Sequence, residues 1–360
     1  MRLRRRVLVP LGLGLILLVG CLFFFTRPPP VLTVMTWPGA YGRAQTNAQM
    51  HPYAARNNVD VRPALWDGDL ADIRAMAQTR QFKADVVDFE LPKAAQACKE
   101  GLIEKIDPAI LPKGVNGLTA AQDFVPGAIG PCWVGNVVYS QVMVAAPGLK
   151  RAPQSLADFF NLRKFPGRRA LMRASPRYNL EMALLADGVA PGDVYNTLAM
   201  PDGLDRAFAK LQALNPIWAH DSIGALRWVK NGQAVMATIL NGDMGAEKGF
   251  RPDVIWDHQL YELDVFAIPA GNPNKDRALD FIAQATGSEA LAGMASWVTY
   301  GPARRSSFAL VKPNRVTGAD TRAMLPTNPA NFQNAFAINS DWWLEHEAQI
   351  APRWQEFVSR

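Results

Sequence analysis

VLTVMTWPGAY, residues 31–41, contains the strand and the turn from which the rest of the chain can be interpreted. Its first five residues are apolar or β-branched and predict a short buried strand. Pro38 and Gly39 then interrupt it before a more polar, helix-permissive segment. Trp37 and Tyr41 therefore follow the carboxyl end of a strand. Because ligands bind at that edge of open α/β sheets, the two aromatic side chains either cover the core or form the floor of a binding cleft.

Length and composition set the size and class of the protein. The chain has 360 residues, of which 49% are hydrophobic and 19% are charged. This composition is that of a globular protein. The length exceeds that of one ordinary hydrophobic core, so we expect two lobes or one large α/β domain.

The first 30 residues carry most of the basic excess behind the formal charge of +6. Five arginines and no acid precede Val31, so the remaining chain is nearly neutral and offers no basis for nucleic-acid binding. An apolar run at 7–25 is close to the ~20 residues that cross a bilayer. Residues 18–21, LVGC, resemble a lipobox that would be cleaved and lipidated at Cys21, whereas residues 22–25 prolong the apolar run as in an uncleaved anchor. Both alternatives predict a membrane-tethered, exported body.

Only two cysteines, Cys98 and Cys132, lie beyond the leader. In an exported protein such a pair is expected to form a disulfide, which would contribute roughly 3 to 4 kcal/mol to stability. Neither cysteine has a second Cys or His at ligand spacing, so we expect no metal site.

Strand and helix patterns alternate through both parts of the chain. Strand-like segments at 31–35, 59–65 and 84–89 are separated by helical segments and predict a parallel sheet flanked by helices. Pro63 restricts the second of these strands to an edge of the sheet or to an early end. A long β-rich run at 134–145 leads into a second alternating α/β half, and 263–268 is again strand-like.

The sequence contains no recognised catalytic, phosphate-binding or dinucleotide-binding motif, and its four histidines are scattered. What remains is a set of aromatic and acidic residues at predicted strand ends. An aromatic face combined with a carboxylate binds an organic ammonium group, although for each ring taken alone the closing of a core is the favoured interpretation. The residues of this set are Trp37, Tyr41, Phe89, Glu90, Tyr178, Asp264 and Tyr300.

With these residues in view, the chain resembles the extracellular solute-binding proteins of bacterial ABC importers, in the branch of the spermidine/putrescine-binding proteins. The resemblance covers residues 31–343 and depends on the order and spacing of several short segments. They are TWPGAY at 36–41, ADVVDFE at 84–90, KEGLIEKID at 99–107, RKFPGRRAL at 163–171, EMALLADGV at 181–189, NG at 241–242 and LDVFAIPA at 263–270, followed by Tyr300 and Gln333.

The resemblance implies an α/β, two-lobed fold of the periplasmic-binding-protein-like type II class, with the ligand cleft between lobes that are joined by crossing strands. The strands at 134–145 and 263–268 would be the crossings, on which the lobes close around a ligand. We expect residues 1–30 to form the leader, 31–136 with 264–308 to form lobe 1, and 137–263 with 309–360 to form lobe 2.

The resemblance also implies ten ligand-binding candidates. Asp264 matches the family's amine-binding aspartate, and Gln333 a polar contact from the tail. Trp37 and Tyr41 match the aromatic residues of the family's first lobe, with one residue more between them than in the polyamine binders. The full set is Trp37, Tyr41, Phe89, Glu90, Ser175, Tyr178, Glu262, Asp264, Tyr300 and Gln333.

Departures from the family pattern bear on the ligand. Polyamine binders carry acids for a second amine in the loop that reads ASPRY at 174–178 here, and Glu262 replaces a tryptophan. Arg173 and Arg177 would repel a long polycation. An amino acid-like zwitterion, or a short putrescine-like diamine oriented toward Glu262, therefore fits better than spermidine.

We therefore predict the substrate-binding component of an ABC importer for a small amine-containing solute. It would work in the periplasm, tethered to the inner membrane, with permease and ATPase subunits as partners and without catalysis, cofactor or metal. The alternatives are an envelope-anchored ligand sensor and an envelope enzyme on a similar scaffold.

Overall fold

The computed structural model describes residues 28–359. Nearly all of the predicted leader, including the lipidation candidate Cys21, lies outside the described residues. Within 28–359, no helix combines the length and the apolar character that a membrane span requires.

The described residues form ten strands and thirteen α-helices. The strands are β1 (Val31–Thr36), β2 (Asp60–Leu65), β3 (Val86–Glu90), β4 (Val134–Ala145), β5 (Arg169–Met172), β6 (Ile217–Ala219), β7 (Met236–Leu240), β8 (Asp253–Ala267), β9 (Gly301–Pro302) and β10 (Phe336–Ala337). The helices are α1 (Gly39–Gln45), α2 (His51–Asn57), α3 (Leu70–Thr79), α4 (Leu91–Lys99), α5 (Ala120–Asp123), α6 (Leu156–Phe160), α7 (Asn179–Ala186), α8 (Val194–Leu198), α9 (Pro201–Leu214), α10 (Ser222–Lys230), α11 (Lys275–Ala285), α12 (Ser288–Ala295) and α13 (Ser340–Ser359). A π-helical turn, Thr46–Met50, joins α1 to α2.

The described strands make one sheet in the order β2-β1-β3-β8-β4-β7-β5-β6, with β9 and β10 added on β4 and β8. Strands β1, β2 and β3 are parallel, β8 is antiparallel to β3, and β5 is parallel to both β6 and β7. The predicted α/β class is confirmed. Strand β2, which contains Pro63, lies at the edge of the sheet because proline cannot donate to a second neighbour.

Two strands, β4 and β8, run through both halves of the sheet. Strand β4 has the predicted bounds, whereas β8 extends the predicted segment back to Asp253. Their pairing shifts register between Gly135 and Val137 and again between Gln141 and Met143. Irregularities of this kind bend strands. The two strands therefore connect the halves and are bent where their register shifts.

Each half of the sheet has its own core. In the first, Val34 of β1 and Phe281 of α11 belong to one cluster of buried side chains. In the second, Leu184 of α7 and Trp354 of α13 belong to another. The apolar side chains of each half are thus buried mainly within that half, as two lobes would require.

The assignment of the tail to a lobe stays a proposal. Beyond the proposed boundary at 308, Val311 and Leu325 first pack with Ala292 and Ala295 of α12. The chain then joins the second core at Phe336.

Cys98 of α4 and Cys132 form the predicted disulfide, with their Cα atoms 5.9 Å apart. The bond closes a loop of 34 residues, for which chain-entropy arguments give a stabilisation of about 3 to 4 kcal/mol. It ties the helix that follows β3 to the segment that leads into β4.

A buried ion pair joins two distant segments of the first half. Arg304 Nη1 lies 3.3 Å from Asp123 Oδ2, and neither side chain is exposed. Asp123 also accepts hydrogen bonds from the backbone N–H and the hydroxyl of Ser306, at 2.8 and 2.6 Å. Because each charge is compensated, the pair is tolerated in the core.

Candidate ligand-binding site

Acidic side chains meet where β3, β4 and β8 lie side by side. Glu90 at the end of β3 is opposite Asp264 of β8, and Tyr139 of β4 is opposite Glu262. Residues that are opposite each other, or two apart on one strand, share a face of the sheet. Asp88 therefore joins the predicted residues Glu90, Glu262 and Asp264, and we call these four the acidic cluster.

Three predicted aromatic residues, Trp37, Tyr41 and Tyr300, pack in one hydrophobic group, which we call the aromatic wall. The rings of Tyr41 and Tyr300 meet edge to face, with centroids 5.6 Å apart. The Tyr41 hydroxyl accepts a hydrogen bond from Asn136 Nδ2 at 3.1 Å and is hydrogen-bonded to Asp88 and Asp264. The wall thus borders the acidic cluster directly.

One guanidinium group, that of Arg177, faces the acidic cluster. Arg177 Nη1 donates to Glu262 Oε1 at 2.9 Å, and the hydroxyls of Tyr139 and Tyr178 donate to Glu262 Oε2. The side chain of Glu262 is fully buried. A carboxylate without access to water needs such partners, and three donors supply them here.

The turn that carries Arg177 has a constrained backbone. Tyr178, just before α7, has φ 71° and ψ −44°, a conformation that costs a non-glycine residue about 1 to 3 kcal/mol. The hydroxyl of Ser175 accepts from the backbone N–H of Arg177 at 3.1 Å, and Asn179 Nδ2 donates to the carbonyls of Met172, at the end of β5, and of Ser175, both at 3.0 Å. These bonds hold Arg177 and Tyr178 in place over the site.

The acidic cluster contains more acid than one guanidinium can balance. Burial, together with repulsion from Asp88 and Glu90, raises the pKa of Asp264 well above its usual value. Burial raises the pKa of Asp88 to about 8, against the opposing effect of its hydrogen bonds to Tyr41, Gln45 and Asn136. Burial and the neighbouring Glu262 also raise the pKa of Glu90. The site therefore favours an added positive charge.

Several polar atoms of the site are buried without a partner. They are Arg177 Nε, Trp37 Nε1 and Asp88 Oδ1. Such atoms are rare in folded proteins because each costs ~1 to 3 kcal/mol unless it is paired. Two donors and one acceptor are thus left for a ligand that has groups of both kinds.

Three of the ten predicted residues lie apart from this group. Phe89 is fully buried on the other face of β3, where its ring packs edge to face on Trp66. Ser175 supports the turn of Arg177 and lies 3.5 Å from Glu347. Gln333 is exposed on the tail. The preceding Phe332 packs on Tyr261, which points away from Glu262 because adjacent strand residues alternate.

Four residues of the site were not among the candidates: Asp88, Asn136, Tyr139 and Arg177. The alternation in ADVVDFE is the signal that could have identified Asp88, since it places Asp88 and Glu90 on one face. Tyr139 and Asn136 lie within an apolar strand that the sequence predicts only as a crossing. Arg177 was considered as a repelling charge, and nothing in the sequence indicates its pairing with Glu262.

Residues from both halves of the sheet meet at the site. Asn241 Nδ2, after β7, donates to the backbone carbonyl of Thr299 at 2.6 Å, and Gly242 lies against the ring of Tyr300. Lys99 and Glu345 also approach across the halves, at 3.5 Å. Within residues 28–359, no group of three or more His, Cys, Asp or Glu side chains is arranged to hold a metal ion. The acidic cluster, the aromatic wall and Arg177 thus lie where the two halves of the sheet meet.

Comparison with known proteins agrees with this architecture. The family model described as bacterial extracellular solute-binding protein matches residues 48–323. The chain is 36% identical over 334 residues to the gamma-aminobutyric acid-binding protein of Pseudomonas aeruginosa, covering 91% of each chain.

Two solved structures are similar over nearly the whole length. A structure described as a GABA receptor superposes with a TM-score of 0.73 at 28% identity, covering 91% of this chain and 97% of the other. An ABC transporter substrate-binding protein from Bradyrhizobium japonicum superposes with a TM-score of 0.74 at 28% identity, covering 91% and 99%.

Proposed function

The protein belongs to the bacterial extracellular solute-binding proteins, and from this premise we propose that it captures a small ω-amino acid, with one ammonium and one carboxylate group, for an ABC importer. Family membership accounts for a substrate-binding component that works outside the cytoplasmic membrane with a permease and an ATPase. It also accounts for the absence of a catalytic motif from the sequence, since these relatives bind solutes.

The observation that carries the proposal is one guanidinium beside an acidic cluster. The solute's ammonium would be held by Asp264 and Asp88. The rings of the aromatic wall would attract the ammonium through cation–π interactions. Its carboxylate would take the donors of Arg177 that Glu262 leaves free, beginning with the buried, unpartnered Nε. Glu262 keeps its bonds to Tyr139, Tyr178 and Arg177 Nη1, so the guanidinium lies between the two carboxylates.

The same charges disfavour a polyamine. A second ammonium group would approach Arg177, and burial would strengthen the repulsion between the two cations. The similarity to a protein named for gamma-aminobutyric acid supports the same conclusion, because that molecule carries an ammonium and a carboxylate at opposite ends.

Isothermal titration with three solutes tests the proposal. We expect 4-aminobutanoate to bind more tightly than putrescine, and putrescine more tightly than spermidine. Butylamine and butanoate, which each lack one charged group, serve as matched controls and are expected to bind at least about tenfold more weakly than 4-aminobutanoate. Tightest binding by spermidine would contradict the proposal.

A substitution at Gly242 tests whether the contact between Gly242, after β7, and the ring of Tyr300 is needed for binding. A Cβ at this position would lie 2.8 Å from the Tyr300 hydroxyl, so Gly242→Ala should displace the ring. Overpacking of this kind costs about 1 to 3 kcal/mol, and we expect 4-aminobutanoate to bind roughly tenfold more weakly. Gly245→Ala is the matched control, because its Cβ would have no neighbour within 4 Å. Equal affinities for the two variants would contradict the expectation.

The lobe assignment and the tether complete the proposal. We assign 31–136 with 264–308 to lobe 1 and the remainder after residue 30 to lobe 2, with closure on β4 and β8. We assign residues 1–30 to a membrane tether. The intact mass of the protein purified from membranes distinguishes a cleaved chain lipidated at Cys21 from an uncleaved anchor.

A further inference from the structure

The hydrogen bonds around Tyr41 have a fixed direction. Gln49 Nε2 donates to Asn136 Oδ1 at 2.7 Å, so that Asn136 Nδ2 is free to donate to the Tyr41 hydroxyl at 3.1 Å. Since the hydroxyl oxygen already accepts from Asn136, its one proton is available to a carboxyl group. Asn136 and Gln49 thus act as positioning residues for the Tyr41 proton.

That proton serves two carboxyl groups. Asp88 and Asp264 are both buried and both hydrogen-bonded to Tyr41. Asp88 Oδ2 accepts from Gln45 Nε2 at 2.5 Å, while its Oδ1 is buried without a partner. An ionised Asp88 would leave that oxygen unsatisfied beside a second buried acid. Two like charges in such a place cannot both be retained without a counterion.

We propose that the empty site stores a proton on the Asp88–Asp264 pair and that the solute's ammonium group expels it on binding, which rests on the proposed function. The step is balanced. A carboxyl O–H bond breaks, the proton passes to solvent, and the carboxylate pairs with the incoming ammonium. The protein gains one negative charge as the solute brings one positive charge.

The groups around the pair leave it without a cation of its own. Arg177 is bonded to Glu262, and Lys93 reaches only Glu90 through a longer-range attraction. The remaining titratable groups that face the pair are acids and tyrosines. By element, they are Tyr41 of α1, Glu90 of β3, Tyr139 of β4, Glu262 of β8 and Tyr300 after α12. Tyr178 before α7 and Asp243 after β7 are one residue further away, near Glu262 and Tyr300 respectively.

The sign of the pH dependence follows. Ammonium binding favours the ionised pair, so affinity should rise with pH while the stored proton is present and should level off above about 8, where Asp88 is ionised without the solute. The carboxyl and amino groups of 4-aminobutanoate have pKa values of about 4 and 10, so both groups stay almost fully charged over the pH range in which the stored proton is lost. We expect an increase of up to about tenfold in affinity per pH unit below the plateau.

Titration of the full chain with 4-aminobutanoate at pH 6.5, in buffers of different ionisation enthalpy, measures the protons released. We expect a release of about 0.5 to 1 proton per solute at pH 6.5 and almost none at pH 9. The Asp88→Asn variant should release clearly fewer protons at pH 6.5, because Asp264 then lacks the repulsion from Asp88, although its own burial still raises its pKa.

A matched control is Asp253→Asn, an exposed acid at the start of β8, which should release protons like the unaltered protein. An apparent enthalpy that is equal in all buffers would overturn the inference and leave the proposed function standing. Loss of proton release in Asp253→Asn as well would overturn the assignment to Asp88. No binding of 4-aminobutanoate in any buffer would overturn the proposed function and this inference together.

Discussion

Replacement of Arg177 by methionine is expected to weaken the binding of 4-aminobutanoate by about 10²- to 10³-fold, equivalent to ~3 to 4 kcal/mol. Methionine retains an unbranched apolar stem but removes the guanidinium that faces the acidic cluster. The solute's carboxylate would then meet Glu262 without a cation between them. Isothermal titration measures the change.

The ligand series separates this loss from a general disruption of the site. Butylamine has no carboxylate, so its affinity should change by less than about threefold in Arg177→Met. The difference between the losses of binding free energy for 4-aminobutanoate and for butylamine then gives the contribution of the carboxylate contact. Arg173→Met is the control, since Arg173 is exposed on the same loop and its charge is screened by solvent. Equal losses for butylamine and 4-aminobutanoate would contradict the role assigned to Arg177.

Local patterns predict most of the fold. The run at 134–145 was predicted with the bounds of β4 because its residues are almost continuously apolar or β-branched, as in a strand that is covered on both faces. Pro63 likewise limited β2 to an edge or an early end, and β2 lies at the edge of the sheet. Strand β8 was predicted only in its second part, because DVIWDHQLYE contains acids and a histidine that resemble a loop when β4 beside it is not known.

The resemblance and the strand ends predict the composition of the site better than its geometry. Asp264, Glu262, Glu90 and the aromatic wall meet as a cleft would require, but their role as ligand contacts stays a prediction. Phe89 illustrates the limit. A residue adjacent to Glu90 in the sequence must face the opposite side of β3, and there it packs on Trp66.

Arg177 and Asp88 were missed because their significance depends on residues far along the chain. Arg177 was interpreted as a charge that repels cations, and its bond to Glu262 requires knowing that the turn before α7 lies against β8. Asp88 is one acid within an apolar strand, where an acid is expected only if distant groups compensate it. Gln45 and Asn136 supply those hydrogen bonds.

Asp264→Asn is the second substitution with a large expected effect, because it should change affinity and stability in opposite directions. The amide keeps a hydrogen bond to Tyr41 but removes the charge that pairs with the solute's ammonium, so 4-aminobutanoate should bind about 100-fold more weakly, within the ~2 to 5 kcal/mol for breaking a buried charged contact. The ligand-free protein should be as stable or more stable, since one buried acid has gone from a cluster that repels itself. Titration and thermal unfolding measure the two effects.

Asp123→Asn, at a buried acid that is paired with Arg304 away from the site, should give the reverse result. It leaves Arg304 buried without its counterion, so the melting temperature should fall while the affinity for 4-aminobutanoate stays within about twofold, because Asp123 lies outside the site. If Asp264→Asn instead lowered the melting temperature as Asp123→Asn does and left the affinity unchanged, Asp264 would be an ordinary structural acid. The two variants thus distinguish two kinds of buried acid. Asp264 would lower the stability of the ligand-free protein and contribute its charge to binding, whereas Asp123 would stabilise the fold by pairing with Arg304.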